Sequence, residues 1–446
     1  MKTVFIFGRD LRLQDNEALS YAAETSTEVL PCYIFTPGFS DLSPIRQHSL
    51  LESVSSLSGS LPLGLEILNS ALPEAIDTIA KFSPDRVVST RSFDTNGMLF
   101  QADLAELLFE RGIRLELVGS NYAVAPGTIV KDDGAALKVY TPFYKRWLQK
   151  GWEKPFELNA DEVNWVAPNA NALPAPSAPS PIAIRAGEHY ALKTWERFKS
   201  GRLAGYAEGR NRTDLGGTSH LSHALAHGEI HPRTLLQDLG DSESEDVFRK
   251  EIAWREFYAD VLFRNPHTLS DYYEPRFEAM RYADPILEKD RLEAWKSGNT
   301  GYPIVDAAMR QLNQTGWMHN RARMITASFL VKDLHFEWQV GARYFEERLT
   351  DFDPASNSHG WQWTAGCGTD ASPYYRVFNP VLQGQKFDPN GSYVRRFVPE
   401  LAHIDGPKIH EPWELIDGYV GGYPVRIVDH SEERDEALAR LAEIKK

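Results

Sequence analysis

The chain has 446 residues, 42% of them apolar, and carries a net charge of −14. That length suits two or three domains with at least one large core, and the apolar fraction excludes a disordered chain. The acidic balance argues against a nucleic-acid partner by bulk charge, yet it permits a local basic face, because salt confines each charge to roughly 10 Å of influence.

The two cysteines, Cys32 and Cys367, form no metal or disulfide pattern. This points to a reducing, cytoplasmic setting. The opening MKTVFIFGRDLRL is too short in apolar residues for a signal peptide. No stretch approaches ~18 apolar residues, so no membrane span is expected.

Apolar, β-rich runs at 3–7, 29–35, 65–68, 86–90 and 114–118 predict strands. Helical patterns lie between them at 16–24, 46–57, 73–81 and 97–111. Strand and helix alternating at this spacing predict parallel βαβ units, so residues 1–126 read as a doubly wound α/β domain. Such a sheet usually binds a ligand at the carboxyl ends of its strands. There is no GxGxxG, which argues against NAD. Residues 127–189 read as a linker, with a Pro-, Ala- and Ser-rich stretch at 166–182. Beyond 190 the periodicity is helical, at 190–200, 245–264, 303–313, 320–332, 338–349 and 431–444, so residues 190–446 predict an all-α domain.

Several stretches of the helical part carry chemistry. GGTSHLS (216–222) offers amides and hydroxyls before an apolar segment, suited to a phosphate or simply to a helix cap. Arg210 and Arg212 lie just upstream and could add charge-assisted bonds. In 248–263, Glu251, Trp254, Arg255 and Tyr258 fall on one helical face. In 317–338, Asn320 and Met324 face one way, while Arg321 and Arg323 point elsewhere. A buried Arg323 requires an acid, and Asp351 and Asp353 are the candidates. His319 alone reads as structural.

The stretch Asp351–Asn390 has neither helical period nor alternation. Its indoles, tyrosines and acids sit among Gly and Pro. It reads as turns forming either the wall of a cavity for a flat, polar-edged ligand or a loop-rich packing region.

Together these segments resemble the photolyase/cryptochrome family, nearest to class I cyclobutane pyrimidine dimer photolyases. The likeness rests on GRDLRLQDN (8–16), TPFYKRW (141–147), GTSHLS (217–222), WREFY (254–258), residues 299–334, GWQW and 378–401. It implies light-driven repair of dimers in DNA by electron transfer from excited, reduced FAD, catalysed by a carbon–carbon lyase that acts as a monomer. It also implies site residues. Tyr206, Thr218, Ser219, His220, Leu221, Ser222 and Arg255 would hold FAD. Arg323 and Asp351 would pair beside its ring, with Asp353 near and Asn357 facing N5. Glu251, Trp254, Asn320, Met324 and Trp363 match the lesion pocket, where two aromatic rings would sandwich a flipped-out dimer. Glu251 would act as general acid and Asn320 as a hydrogen-bonding partner. Arg321, Arg376, Gln383 and Lys386 would meet the DNA backbone. Trp361 and Trp338 would begin an electron-supply chain.

The chain also departs from the family pattern. Gly8 replaces an Arg, and His359 replaces a Gly before Trp361. The outermost Trp of the electron chain is missing, with Tyr282 the nearest aromatic substitute. STRSFDTNG (89–97) lacks the usual folate-holding pattern, so a folate, a deazaflavin or no antenna are the alternatives. HNRARM lacks the paired histidines of (6-4) enzymes. The alternative functions are a photolyase-like light sensor and a flavin- or DNA-binding scaffold.

Overall fold

The computed structural model describes residues 1–169, 172–180, 182–370 and 375–444. Residues 170, 171 and 181 of the expected linker, and 371–374 of the Asp351–Asn390 stretch, lie outside them. The chain forms two compact units. One comprises Met1–Ala204 and Ser219–Pro266, the other Gly205–Thr218 and His267–Lys446. The boundary therefore passes through the GGTSHLS loop.

The first unit is built on five parallel strands: β1 (Lys2–Phe7), β2 (Glu28–Phe35), β3 (Glu66–Asn69), β4 (Arg86–Thr90) and β5 (Arg114–Val118). Their order is β3-β2-β1-β4-β5. Helices Glu17–Thr25, Pro44–Ser60, Leu72–Lys81 and Thr95–Glu110 connect them, as the spacing predicts. The period-two alternation of β1 feeds two cores. Phe5 and Phe7 join Leu19, Val54 and Val88 in one cluster, and Val4 and Ile6 join Ile76, Val87 and Leu104 in the other. The doubly wound sheet is thus present, covered on both faces.

The carboxyl end of β1 meets the chain's own backbone. Leu11 N donates to His227 O at 3.2 Å, Arg9 Nε to Ala226 O at 3.0 Å and Arg12 Nη1 to Gly228 O at 3.0 Å. A Cβ at Gly228 would lie 1.9 Å from Arg9 O, so residues 226–228 fit tightly against this end. Asp15 and Arg233 pair at 2.9 Å beneath it. The expected linker also carries a helix, Tyr140–Lys150.

The second unit is helical. Its core runs through Trp295, Met309, Leu312, Phe329, Leu330, Trp338, Phe345 and Trp361. Helices Pro303–Thr315, Asn320–Ser328, Trp338–Arg348 and His430–Glu443 lie where the periodicity puts them. The reading of Asp351–Asn390 as turns needs correction: Pro354–Ala365 and Pro380–Phe387 are helices. Asp353 caps the first through Ser356 N at 2.8 Å, Pro354 opens it, and Gly366 closes it in the left-handed region. The period was hidden because the helix is covered nearly all round. Ala355, Ser358, His359, Trp361, Gln362, Thr364 and Ala365 are all buried, so no polar stripe marks an outside. Among the described residues no helix is long and apolar enough to cross a membrane.

Candidate functional site

The chemistry of the second unit gathers around the start of the helix Pro354–Ala365. Arg323 Nη2 bonds Asp351 Oδ2 at 2.6 Å, while Arg323 Nε donates to Met318 O at 2.8 Å. The Asp351 side chain is fully buried. Its second oxygen, Oδ1, is also buried and has no hydrogen-bond partner among the described residues. Leaving a carboxylate oxygen dry and unbonded costs on the order of 1–3 kcal/mol. Such an atom suits a bound group that brings a donor.

The next turns carry the other residues of interest. Asp353 Oδ1 accepts the Ser356 amide in the helix cap. Asn357, half-buried, donates to Ala342 O at 3.1 Å. His359 is completely buried, with Nε2 3.4 Å from Thr268 Oγ1. Burial alone pulls its pKa down to about 4, so it is a neutral packing residue. Trp361 lies edge-on to Phe345 at 4.9 Å and to Trp295 at 6.2 Å. Gly341 makes room for it: a Cβ there would stand 2.1 Å from the Trp361 ring.

Trp338 is also buried and stands edge-on to Tyr272, with centroids 6.3 Å apart. Tyr272 in turn stacks on Tyr282 at 6.2 Å and 21°. Tyr282, the expected substitute for the missing Trp, therefore reaches Trp338 through a second tyrosine. The sequence reading passed over Tyr272, although the pair Tyr272-Tyr273 stands in plain view. Its hydroxyl lies 3.3 Å from Glu337 Oε1.

The helix Asn320–Ser328 presents Asn320 exposed and Met324 half-buried. Arg321 does not point away from Met324: its Nη1 lies 3.4 Å from the sulfur. The same guanidinium bonds Asn211 Oδ1 at 2.6 Å and lies over the Phe387 ring. His319 caps this helix through Arg321 N, the structural role expected of it. Trp363 is half-buried and donates to Asp370 O at 3.1 Å. Gln383 is half-buried, and Arg376 and Lys386 are exposed. Arg212 pairs with Asp214 through Nε and Nη2 at 2.8 and 2.6 Å. Tyr206 is buried and Thr218 half-buried in this unit.

The first unit holds the remaining candidates. Ser219, His220, Leu221 and Ser222 lead into the short helix Ser222–His227. On the helix Glu243–Arg264, Glu251, Trp254, Arg255 and Tyr258 are all partly buried, as one shared face requires. Tyr140 stacks on Trp254 at 3.7 Å and 7°, covering one face of the indole. Arg255 donates to Asn121 O and Leu225 O at 3.2 and 3.1 Å. Its bonds are thus internal to the unit. At 89–97, Asp94 caps the helix Thr95–Glu110 through Gly97 N.

Known families account for this arrangement. A family model described as the FAD binding domain of DNA photolyase matches residues 248–443, and one described as DNA photolyase matches residues 3–160. A deoxyribodipyrimidine photo-lyase of Agrobacterium fabrum is 39% identical, over 99% of this chain and 97% of its own. The chain belongs to the DNA photolyase family. Among solved structures, a bacterial class III photolyase from Agrobacterium tumefaciens superposes with a TM-score of 0.91 at 36% identity, covering 100% of this chain and 98% of that one. The likeness to class I enzymes read from the motifs thus extends to a class III enzyme. A Synechocystis cryptochrome gives 0.86 at 28% identity, covering 98% and 99%. The photolyase-family chain therefore has the two-part architecture expected of it, an α/β part followed by a helical FAD-binding part.

Proposed function

We propose that this protein is a deoxyribodipyrimidine photo-lyase that repairs cyclobutane pyrimidine dimers in DNA under light, with FAD as its cofactor. The observation that carries the reading is Asp351: a buried carboxylate with one oxygen bound to Arg323 and the other left without a donor. The residues around it suit FAD. Arg323 and Asp351 would hold the flavin ring, with Asn357 beside them, and Tyr206, Thr218, Ser219, Leu221 and Ser222 would hold its phosphates and ribose. Bound FAD supplies light-driven one-electron chemistry.

The chain's own residues bind and orient. We assign Glu251 and Asn320 to the polar edges of the dimer, and Trp254, Met324 and Trp363 to apolar contact with it. Glu251 would also hold a proton near a dimer carbonyl, stabilising negative charge there. Arg376, Lys386 and Gln383 would meet the phosphate backbone and supply the local positive face that net charge conceals. We place the protein in a reducing compartment, since both cysteines are buried free thiols, and assign it a monomeric state.

The test is direct. Purified protein, chemically reduced and illuminated with a dimer-containing oligonucleotide, should restore thymine absorbance. Tight binding without restored absorbance would replace repair with the scaffold reading. The likeness to a cryptochrome supports a light sensor as the second reading, and light-dependent change in the flavin with neither repair nor dimer binding would favour it.

A further inference from the structure

The helix Asn320–Ser328 does not end cleanly. It widens into a π-helical turn, Phe329–Asp333. Such turns interrupt the regular ladder and are frequent at functional sites. This one buries Lys332. Its ammonium donates to the backbone carbonyl of Arg376 at 2.5 Å and lies 4.3 Å from the centroid of the Tyr375 ring. One turn earlier, Ser328 Oγ accepts from the Phe378 amide at 3.3 Å. From the other side, Gly366, with φ at +89°, lets the end of the helix Pro354–Ala365 approach the same ring. A Cβ there would stand 2.9 Å from Tyr375 Cδ2.

Residues 375–378 are thus tied down at three successive points. Burying a lysine away from water is costly, and among the described residues its partners are a carbonyl and a ring rather than a carboxylate. Neighbouring Asp333 is engaged by His430 at 2.5 Å. The arrangement has one evident product. Arg376 gives its carbonyl to Lys332 while its side chain remains exposed.

We propose that Lys332 is a positioning residue for DNA binding, holding residues 375–378 so that the Arg376 guanidinium meets the phosphate backbone. This rests on the assignment of Arg376 to DNA made above. Lys332 acts through Arg376, so its loss removes the benefit of that guanidinium and nothing more.

The experiment is a double-mutant cycle on the holoenzyme. Binding of a dimer-containing duplex is followed by fluorescence anisotropy across a salt series for wild type, K332M, R376A and the double variant. K332M and R376A should each weaken binding by about tenfold and lower the salt slope by about one. The double variant should bind no more weakly than R376A. In turnover, K332M should raise KM for DNA and leave kcat unchanged, which a general loss of structure would not do. If K332M purifies without flavin, K332Q, which keeps a donor for the carbonyl, enters the same cycle. Wild-type binding by K332M beside a weakened R376A, or a double variant showing the product of both losses, overturns the proposal alone. Wild-type binding by R376A removes the assignment of Arg376 and the proposal with it.

Discussion

Two buried carboxylates, one in each unit, have opposite surroundings. Glu256, in the first unit, accepts from Ala123 N at 2.5 Å, Val124 N at 3.0 Å and the Trp147 indole at 2.6 Å. Both of its oxygens are used, and it pins the loop after β5 to the helix Glu243–Arg264. Asp351, in the second unit, is equally buried but has one oxygen bonded and one bare. The indoles repeat the contrast. Trp147 donates to Glu256, whereas Trp338 and Trp361 have indole N–H groups with no partner among the described residues. A fully satisfied polar group deep in a protein belongs to the fold. A half-satisfied one is a cost the fold carries for something that binds or moves.

The largest effect should come from breaking the half-satisfied member. Asp351→Asn keeps the volume but removes the charge that Arg323 faces. We expect retained FAD, measured as flavin absorbance per protein after gel filtration, to fall at least about tenfold, since a charged hydrogen bond is worth roughly 1.5–3 kcal/mol. Repair should fall with it. A variant that keeps both its flavin and its repair would show that the bare oxygen has no bearing on the cofactor.

Glu256 should respond to pH rather than to ligand. Burial raises its pKa from 4.5 to about 7, against the opposing bonds from Trp147, Ala123 and Val124. A folded-state value above the unfolded one favours the protonated folded protein. Its stabilising effect is therefore present below pH 4.5 and is lost as pH rises through 7. The change is worth about 3 kcal/mol at 1.36 kcal/mol per pH unit. Glu256→Gln should gain on wild type by about that amount between pH 4.5 and 8, read as the difference between their urea unfolding curves. Parallel pH profiles would place the carboxylate outside the titrating set.

The same contrast explains what could be read from sequence. The five strands and the helices of the α/β part follow from apolar runs and spacing, because a parallel sheet covered on both faces reads as short apolar runs, with helices between them. His319 was legible as structural, and Arg323 was legible as needing an acid, with Asp351 and Asp353 both candidates; the half-buried guanidinium takes Asp351. The helix Pro354–Ala365 was not legible, since a helix covered on nearly every side has no period to display. Tyr272 and Lys332 were missed for a different reason. Their importance lies in what they touch, Trp338 and Arg376, and long-range contact leaves no local mark.

Next in size is the packing of Trp361. Gly341 has no Cβ because the indole occupies its place, so Gly341→Ala should cost about 2 kcal/mol through overpacking. The denaturant midpoint should fall while the denaturant slope holds. An unchanged midpoint would show that the ring has room to shift.

The smallest effect on stability, about 1 kcal/mol, belongs to Tyr272→Phe, which removes only the hydroxyl facing Glu337. Its kinetic effect should be larger. Among the described residues Trp338 and Trp361 have no acceptor for an indole proton, so either ring keeps its proton on oxidation and remains eager to regain an electron. Tyr272 differs, because its hydroxyl has Glu337 Oε1 at 3.3 Å to take the proton, and its ring leads to the partly exposed Tyr282. Light-driven reduction of the bound flavin should therefore slow in Y272F, and comparably in Y282F. Repair by chemically reduced protein should be unchanged in both, because that assay bypasses the supply chain. Equal photoreduction rates in wild type and Y272F would mean that electrons reach Trp338 by another path. Slowing in Y282F alone would mean that the stacked pair is not the relay.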